Sequence, residues 1–516
     1  MMKYPNIHTG LKVHAKERGD ETAIVYEDKR VSYRELYNRV NSLGQAMMKQ
    51  GLKKGDHVLI YMRNRLEMAE IYYAISFIGA VAVPINYMVR GRDLAELINT
   101  SDAVFAFVEI QKLADFEEAL PNLAKITPRH TVLVGNDADG EAKMKYIDYS
   151  TFFLNEEVQE IDVEVGPEDL SVFIYSSGTT SLPKGIMLTH GAMLTRSALS
   201  LVEWGINEED TVLLTTPMYH SIGHGSLLSL SSHGTRLIIT REFDPEKTLQ
   251  YMQDEKVTYG IFVPTQYNMM LQVPNIDQYD FSSVRLLISG GAPIQAETKR
   301  KIMDTFGCEF SEFFGSSETG VIVILRSKDV IRKTKSVGVQ TEIAEVRLVD
   351  DNGNFVGVGE EGEFACRWEG LFSGYYNLPE ETRKAFMEDR WFKLGDMGKM
   401  DEEGYFYLLD RKKDMIISGG VNIYPKDIEE VLTSHEAVLE AAVIGAPDEK
   451  WGEKVKAFVV CKAGKTVEKE KLMEYCNKQL AKFQSIKEVE FIDSLPRNPS
   501  GKILKRELRN VGSANI

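Results

Sequence analysis

Eleven consecutive residues, Tyr175-Ser176-Ser177-Gly178-Thr179-Thr180-Ser181-Leu182-Pro183-Lys184-Gly185, hold five aliphatic hydroxyls, two glycines and a lysine. Such a loop offers O–H and backbone N–H donors to a polyphosphate, and glycine lets the backbone approach it closely. Lys184 adds a positive charge on a flexible stem. Many Ser/Gly/Thr-rich loops between strands only connect them. The usual G-x-x-x-x-G-K-[ST] signature is absent, because Lys184 follows Pro183 and precedes Gly185. A P-loop kinase or GTPase is therefore disfavoured, and a different nucleotide-phosphate loop is the better reading.

Five further clusters follow. In Pro217-Met218-Tyr219-His220-Ser221-Ile222-Gly223-His224, the two histidines have i, i+4 spacing. A zinc helix would need Glu at Ser221, and Gly223 weakens any helix, so metal binding is disfavoured there. Phe313-Phe314-Gly315-Ser316-Ser317-Glu318-Thr319 comes near to G-x-S-x-G, but Thr319 stands where glycine is needed. A hydrolase is thus a weak rival. Trp391-Phe392-Lys393-Leu394-Gly395-Asp396 ends in Gly-Asp, which alone is more often a turn than a site. Asp410-Arg411-Lys412-Lys413-Asp414 precedes an apolar run and Ser418-Gly419-Gly420. By charge pattern it is a solvated linker entering a strand. Pro496-Arg497-Asn498-Pro499-Ser500-Gly501-Lys502-Ile503 places a lysine on a Pro/Gly-rich loop.

Together these clusters resemble the motifs of the adenylate-forming superfamily, above all its acyl-CoA synthetases, and the resemblance runs along nearly the whole chain. It implies a fatty-acid–CoA ligase type of enzyme using ATP, Mg2+ and coenzyme A. Carried over residue by residue, Ser176, Ser177, Gly178, Thr179, Thr180 and Lys184 hold phosphate. Gly291, Ala292, Phe313, Phe314 and Gly315 border the nucleotide, with Phe314 stacked on adenine and Ser317 at the α-phosphate. Glu318 holds Mg2+. Asp396 and Arg411 contact the ribose. His220 lies by the carboxylate, with Tyr219, Gly223, His224 and Gly290 near the acyl pocket. Lys413 is the pivot of an inter-domain hinge, and Gly419, Gly420 and Trp451 meet the pantetheine arm of CoA. Lys502 bridges carboxylate and α-phosphate. Two positions depart from the pattern: Ser181, where glycine is frequent, and Leu394, where threonine is common.

The elements that must position these residues alternate. Ala23–Tyr26 and Val31–Tyr33 read as a hairpin around residues 27–30. Ser32 with Glu35 makes a capping box, and Leu36, Val40, Leu43 and Met47 fall at helical spacing until Gly51. Strand-like 57–61, helical 68–75 and strand-like 81–83 continue a β-α-β order, which predicts a parallel sheet with helices packed on it. Leu170–Tyr175 precedes the phosphate loop, and strand runs recur at 211–214, 237–240, 260–263 and 285–289. Ligands of open α/β sheets bind beyond the carboxyl ends of strands, and polar or Gly-rich residues follow several of these ends.

Between Val337 and Trp368 short runs separated by Asp351-Asn352-Gly353 and Gly359-Glu360-Glu361-Gly362 predict hairpins of a small β-barrel-like subdomain. Beyond residue 414, helical 425–432, strand-like 438–444 and 456–461, and helical 467–483 make a compact α+β domain. The expected fold is therefore α/β. A large N-terminal adenylation domain, 1–410, has parallel sheet subdomains and the small barrel. A hinge at 411–414 leads to a small mobile C-terminal domain, 415–516.

Composition sets limits. With 516 residues, 43% hydrophobic and 27% charged, the chain can hold several cores. Cys308, Cys366, Cys461 and Cys476 lack C-x-x-C spacing, which argues against a zinc site or disulfide framework and fits a reducing compartment. The start has no basic-then-apolar signal pattern, and the apolar stretch at 71–85 is too short to span a bilayer. These features point to the cytoplasm and leave room for peripheral membrane contact and for a homodimer. Net charge is −16, so a basic field for nucleic acid is missing.

The chemistry implied has two halves. A carboxylate oxygen is a poor leaving group, and transfer to AMP replaces it with a good one. Thiol attack then yields the thioester. For the acid, each buried methylene contributes about 0.8 kcal/mol, so an apolar channel can select a medium- or long-chain fatty acid. An aryl acid is the nearest rival. A stand-alone enzyme loading a carrier protein and a non-catalytic nucleotide-binding relative are the others.

Overall fold

Ser32 starts the first long helix. Its side chain accepts from the Glu35 N–H at 3.2 Å, and the Glu35 carboxylate accepts from the Ser32 N–H at 2.8 Å. The helix Tyr33–Lys49 buries Leu36, Val40, Leu43 and Met47, the residues its spacing singled out. The strand expected to reach Tyr33 ends at Ser32 for that reason. The preceding hairpin is tighter than expected. Tyr26 pairs with Lys29, and Glu27 takes a positive φ of 54° in the turn.

The computed structural model describes residues 6–135, 144–153, 160–175, 183–497 and 503–513. Two units separate. The first holds the described residues up to Glu345 together with Arg367–Phe386, and the second holds Val346–Cys366 and the described residues from Met387 onward.

The first unit carries two sheets. In the nine-stranded one, Glu309–Ser316, Leu286–Ser289, Tyr259–Phe262, Thr211–Leu214 and Arg236–Ile239 lie side by side. Neighbours among these five are parallel. Antiparallel strands close both edges, Gly320–Leu325 followed by Val339–Gln340 on one side and Lys29–Ser32 on the other. The eight-stranded sheet has a parallel centre, His57–Tyr61 between Val81–Pro84 and Phe105–Glu109. Its strands are nearly continuous apolar runs, as sheets covered on both faces require. Leu59, Val83, Ala106 and Phe173 sit in one buried cluster. Leu170–Tyr175 and Gly185–Thr189 form an antiparallel pair with Tyr175 opposite Gly185.

In the second unit the expected barrel-like hairpins form a four-stranded sheet of Glu345–Val349, Glu361–Arg367, Phe392–Met400 and Phe406–Arg411. A five-stranded sheet follows, in which the long strand Gly452–Cys461 is central and pairs with the long edge strand Val438–Asp448. The helix Pro425–Thr433 buries Ile428 and Leu432 against Val443 and Val459. The helix expected over 467–483 is shorter, Lys469–Asn477. Asn477 turns its side chain onto the backbone of Ile486, accepting from its N–H at 2.8 Å and donating to its carbonyl at 3.2 Å. Asparagine competes with the helix in this way.

Candidate active site

Four adjacent parallel strands, 309–316, 286–289, 259–262 and 211–214, end on the same side of their sheet. Beyond their carboxyl ends come Ser317-Glu318, Gly290-Gly291-Ala292, Val263 and Pro217–His220. Motifs about 100 residues apart in sequence thus become neighbours by strand order alone.

The histidine segment is held by buried side chains of the other sheet's connections. Asn64 donates to the Thr216 carbonyl at 2.9 Å and accepts from the Met218 N–H at 2.7 Å. The Tyr72 hydroxyl donates to the Met218 carbonyl at 2.8 Å. His220 caps the helix Ser221–His233 in an extended conformation. An added Cβ at Gly223 would lie 2.2 Å from the Pro217 carbonyl oxygen, so this tight entry requires glycine. Burial lowers the pKa of His220. Ser221 Oγ lies 3.5 Å from His220 Nδ1 and accepts from Ser317 Oγ at 3.4 Å, linking two of the motifs.

Phe313 packs directly on Gly290, where an added Cβ would come within 2.2 Å of its ring. Gly291 has φ of 80°, next to Ile222 and Val263. Gly315 faces the Gly320 carbonyl so closely that no side chain fits. Arg196 clamps the following turn. It donates to the carbonyls of Ser317 (3.1 Å), Glu318 (2.7 Å) and Gly370 (2.7 Å). The Glu318 carboxylate therefore projects from a fixed backbone, and its Oε1 accepts from the Tyr375 hydroxyl at 3.0 Å. Burial, reinforced by Glu318, pushes the Tyr375 phenol pKa well up. The Tyr375 ring also lies 4.9 Å from Lys184 Nζ, which pairs with Glu381 at 2.9 Å. Tyr375 belongs to a short strand paired with Gly185–Thr189, which explains its reach to both groups.

The second unit arranges its own candidates. Asp396 lies opposite Arg411 on paired strands, with Arg411 Nε 3.3 Å from Asp396 Oδ1. Gly395, at φ of 77°, donates its N–H to Glu363 at 3.1 Å. Lys413 sits in the exposed turn that follows. Gly419 and Gly420 form a two-residue hairpin loop between Ser418 and Val421, with φ of 59° and 80°. Both central positions of such a loop need positive φ, hence the glycine pair. The Gly419 N–H donates to the Trp451 carbonyl at 2.8 Å, and the Trp451 ring covers Gly419 while staying 51% exposed. Gly419, Gly420 and Trp451 are thus brought together.

Ser176, Ser177, Gly178, Thr179, Thr180 and Lys502 lie outside the described residues. The described residues on either side of 498–502, Arg497 and Ile503, form an antiparallel bridge. Ile503 packs on the cluster of Ala442, Ile444 and Phe458.

Arg196, Tyr375, Asn64 and Tyr72 escaped the sequence reading. Each stands in a segment with no chemical spacing pattern, and each acts on a partner distant in sequence.

This arrangement defines an α/β protein whose candidate site residues gather at strand ends. The profile described as AMP-binding enzyme matches residues 11–376, and that of the AMP-binding enzyme C-terminal domain matches 427–502. The chain belongs to the AMP-binding enzymes, the adenylate-forming superfamily. It is 34% identical to the long-chain-fatty-acid–CoA ligase FadD13 of Mycobacterium tuberculosis, over 95% of this chain and 94% of that one. It is also 34% identical to a feruloyl-CoA synthase of an Amycolatopsis species, over 95% of each. ATP-bound MatB from Rhodopseudomonas palustris superposes with a TM-score of 0.87 at 29% identity, covering 98% of this chain and 99% of that one. The chain is an AMP-forming acid–CoA ligase. Enzymes of this kind use ATP and CoA, with Mg2+ as the usual metal.

The residues fit that set. Among the described residues no group of three His, Cys, Asp or Glu could cage a metal. Glu318 supplies a single carboxylate, with one oxygen taken by Tyr375. Such a donor suits Mg2+, which binds through one or two carboxylates plus substrate phosphates and water. Among the described residues no helix is long and apolar enough to cross a membrane.

Proposed function

We propose that the enzyme activates a medium- or long-chain fatty acid as its acyl-AMP, releasing pyrophosphate, and then passes the acyl group to CoA. The observation that carries the site assignment is the linked set His220, Ser221, Ser317 and Glu318 at the strand ends of one sheet, with Tyr375 reaching Glu318 from the other sheet and Lys184 beside the Tyr375 ring. In this reading His220 borders the acid carboxylate and Ser317 the α-phosphate. Phe314 stacks on adenine, and Asp396 and Arg411 hold the ribose. Mg2+ held by Glu318 would screen charge as pyrophosphate leaves. Residues 176–180 and Lys184 cradle the phosphates. Lys502 bridges carboxylate and α-phosphate in the first half-reaction. The domains are assigned as 1–410, a hinge at 411–414 pivoting on Lys413, and 415–516. Gly419, Gly420 and Trp451 serve the thiol in the second half.

The likeness to FadD13 supports the aliphatic acid. A second reading, an aryl acid, is supported by the comparable likeness to a feruloyl-CoA synthase and by unpartnered polar atoms on Tyr219 and His224.

Pyrophosphate release across fatty and aryl acids, each with and without CoA, tests both readings. Release that rises with aliphatic chain length and turns over only with CoA supports the first. Release confined to aryl acids supports the second, and indifference to CoA points to a carrier-protein acceptor. Lys502→Ala should abolish acyl-AMP formation and spare thioester formation from supplied acyl-AMP. Equal loss of both halves would contradict the role assigned to Lys502.

A further inference from the structure

His224 lies one turn beyond His220, on the helix that His220 caps. It is 2% exposed, and its Nδ1 has no hydrogen-bond partner. Its ring packs on Tyr72 with centroids 4.9 Å apart, but the Tyr72 hydroxyl is already given to the Met218 carbonyl. Tyr219, 8% exposed, carries a buried hydroxyl that is likewise unpartnered. Its ring meets that of Tyr87 in an edge-on arrangement at 5.8 Å.

His190 also buries an unpaired Nε2, but its Nδ1 accepts from the Ile7 N–H at 3.5 Å, and two other histidines have close polar partners. His233 Nε2 lies 2.9 Å from the Ser197 carbonyl and 2.9 Å from Ser200 Oγ. His57 Nδ1 lies 2.6 Å from the Ser101 carbonyl. Leucine or phenylalanine would fill the His224 position without leaving a polar atom unpaired. Buried polar groups without partners are uncommon, because each carries an uncompensated desolvation penalty. Two on one segment, next to the residue that borders the acid carboxylate, mark a site that hydrogen-bonds its ligand.

We infer that the acid carries a hydroxyl or carbonyl group beyond its carboxylate, and that this group pairs with His224. Residues at i and i+4 share a helix face and rise roughly 6 Å apart, which sets the distance of the second polar group from the carboxylate end. Burial, with Arg196 adding to it, holds the His224 pKa down to about 4, so the ring is neutral near pH 7. A neutral imidazole has one N–H and one lone pair. A hydroxyl serves either nitrogen, and a carbonyl serves the N–H. A plain saturated chain would leave the buried Nδ1 unpaired and so be disfavoured. The inference rests on the reading above that segment 219–224 borders the acid, and it narrows both the aliphatic and the aryl alternatives to acids with a polar substituent.

The test compares kcat/KM for thioester formation within matched pairs: decanoate against its mid-chain hydroxy and oxo derivatives, and cinnamate against its meta-hydroxy derivative. A site built around a hydrogen bond should favour one polar member by about 10²-fold or more. His224→Leu should collapse that ratio, and His224→Gln, which still donates and accepts, should keep more of it. Urea unfolding of His224→Leu, at least as resistant as the parent, shows that the change is not a folding defect. No polar preference in the parent enzyme, or an unchanged ratio in His224→Leu, overturns the inference alone. If His220→Ala also leaves every acid's kcat/KM intact, the placement of the acid fails and the inference falls with it.

Discussion

The Tyr375 hydroxyl donates to the Glu318 carboxylate at 3.0 Å, and its ring lies 4.9 Å from Lys184 Nζ. One side chain thus orients the candidate metal ligand and backs the candidate phosphate-binding lysine. Tyr375→Phe removes the first contact and keeps the ring. Partners that orient a metal ligand typically matter by about 10–100-fold in metal affinity. The half-saturating Mg2+ concentration for pyrophosphate release should rise by about tenfold. Mn2+ binding in the presence of ATP, followed by its paramagnetic signal, should weaken in parallel. Unchanged metal dependence in both assays would remove Tyr375 from the site.

Arg196→Ala should be damaging although Arg196 lacks any recognisable motif. Its guanidinium holds three carbonyls around the Glu318 turn. Hydrogen bonds to a charged donor contribute about 1.5–3 kcal/mol each, and three that share one side chain do not add fully. A loss of about 3 kcal/mol in urea unfolding is expected, with adenylation falling about 10²-fold. Arg196→Lys cannot reproduce the planar fork and should recover only part of either.

Stability should fall as pH drops from 6.5 towards 4. Burial depresses the pKa values of His190 and His224 to about 4 in the folded chain. The unfolded state, with ordinary histidines near 6.5, binds more protons across that window. Their contribution is complete above the unfolded value and is lost as pH approaches the folded value. The full effect is of order 3 kcal/mol for each histidine. Urea unfolding as a function of pH reads this slope, and His224→Leu should flatten part of it. An identical slope in that variant would argue against a neutral, buried His224.

Gly419→Ala should separate the two half-reactions. Gly419 has φ of 59°, and an added Cβ would come within 2.6 Å of the Trp451 ring. The hairpin loop and Trp451 must both shift. The expected outcome is a several-fold higher KM for CoA with pyrophosphate release in the absence of CoA little changed. Equal damage to both steps would mean that this hairpin is not confined to the thiol step.

Much of the fold was legible because its causes are local. The capping box at Ser32 and Glu35, the apolar spacing that follows, and the strands at 57–61, 211–214 and 286–289 depend on residues within a few positions of one another. Where local pattern competed with side-chain bonding, boundaries moved, as at Asn477, whose amide ends the helix early.

The site divides along the same line. The sequence by itself determined which chemical groups are present: the hydroxyl-rich loop, His220, Glu318, Asp396, and the glycine pair at 419–420. It also determined the β-α alternation that puts loops at strand ends. Only the tertiary structure decided what orients them. Arg196 reaches Glu318 across 122 positions, Tyr375 reaches it across 57, and Asn64 reaches Met218 across 154. It also decided that His224 is buried with an unpartnered nitrogen. The physical reason is that side-chain hydrogen bonds and burial follow from the order of strands in the sheets, and no run of neighbouring residues encodes that order.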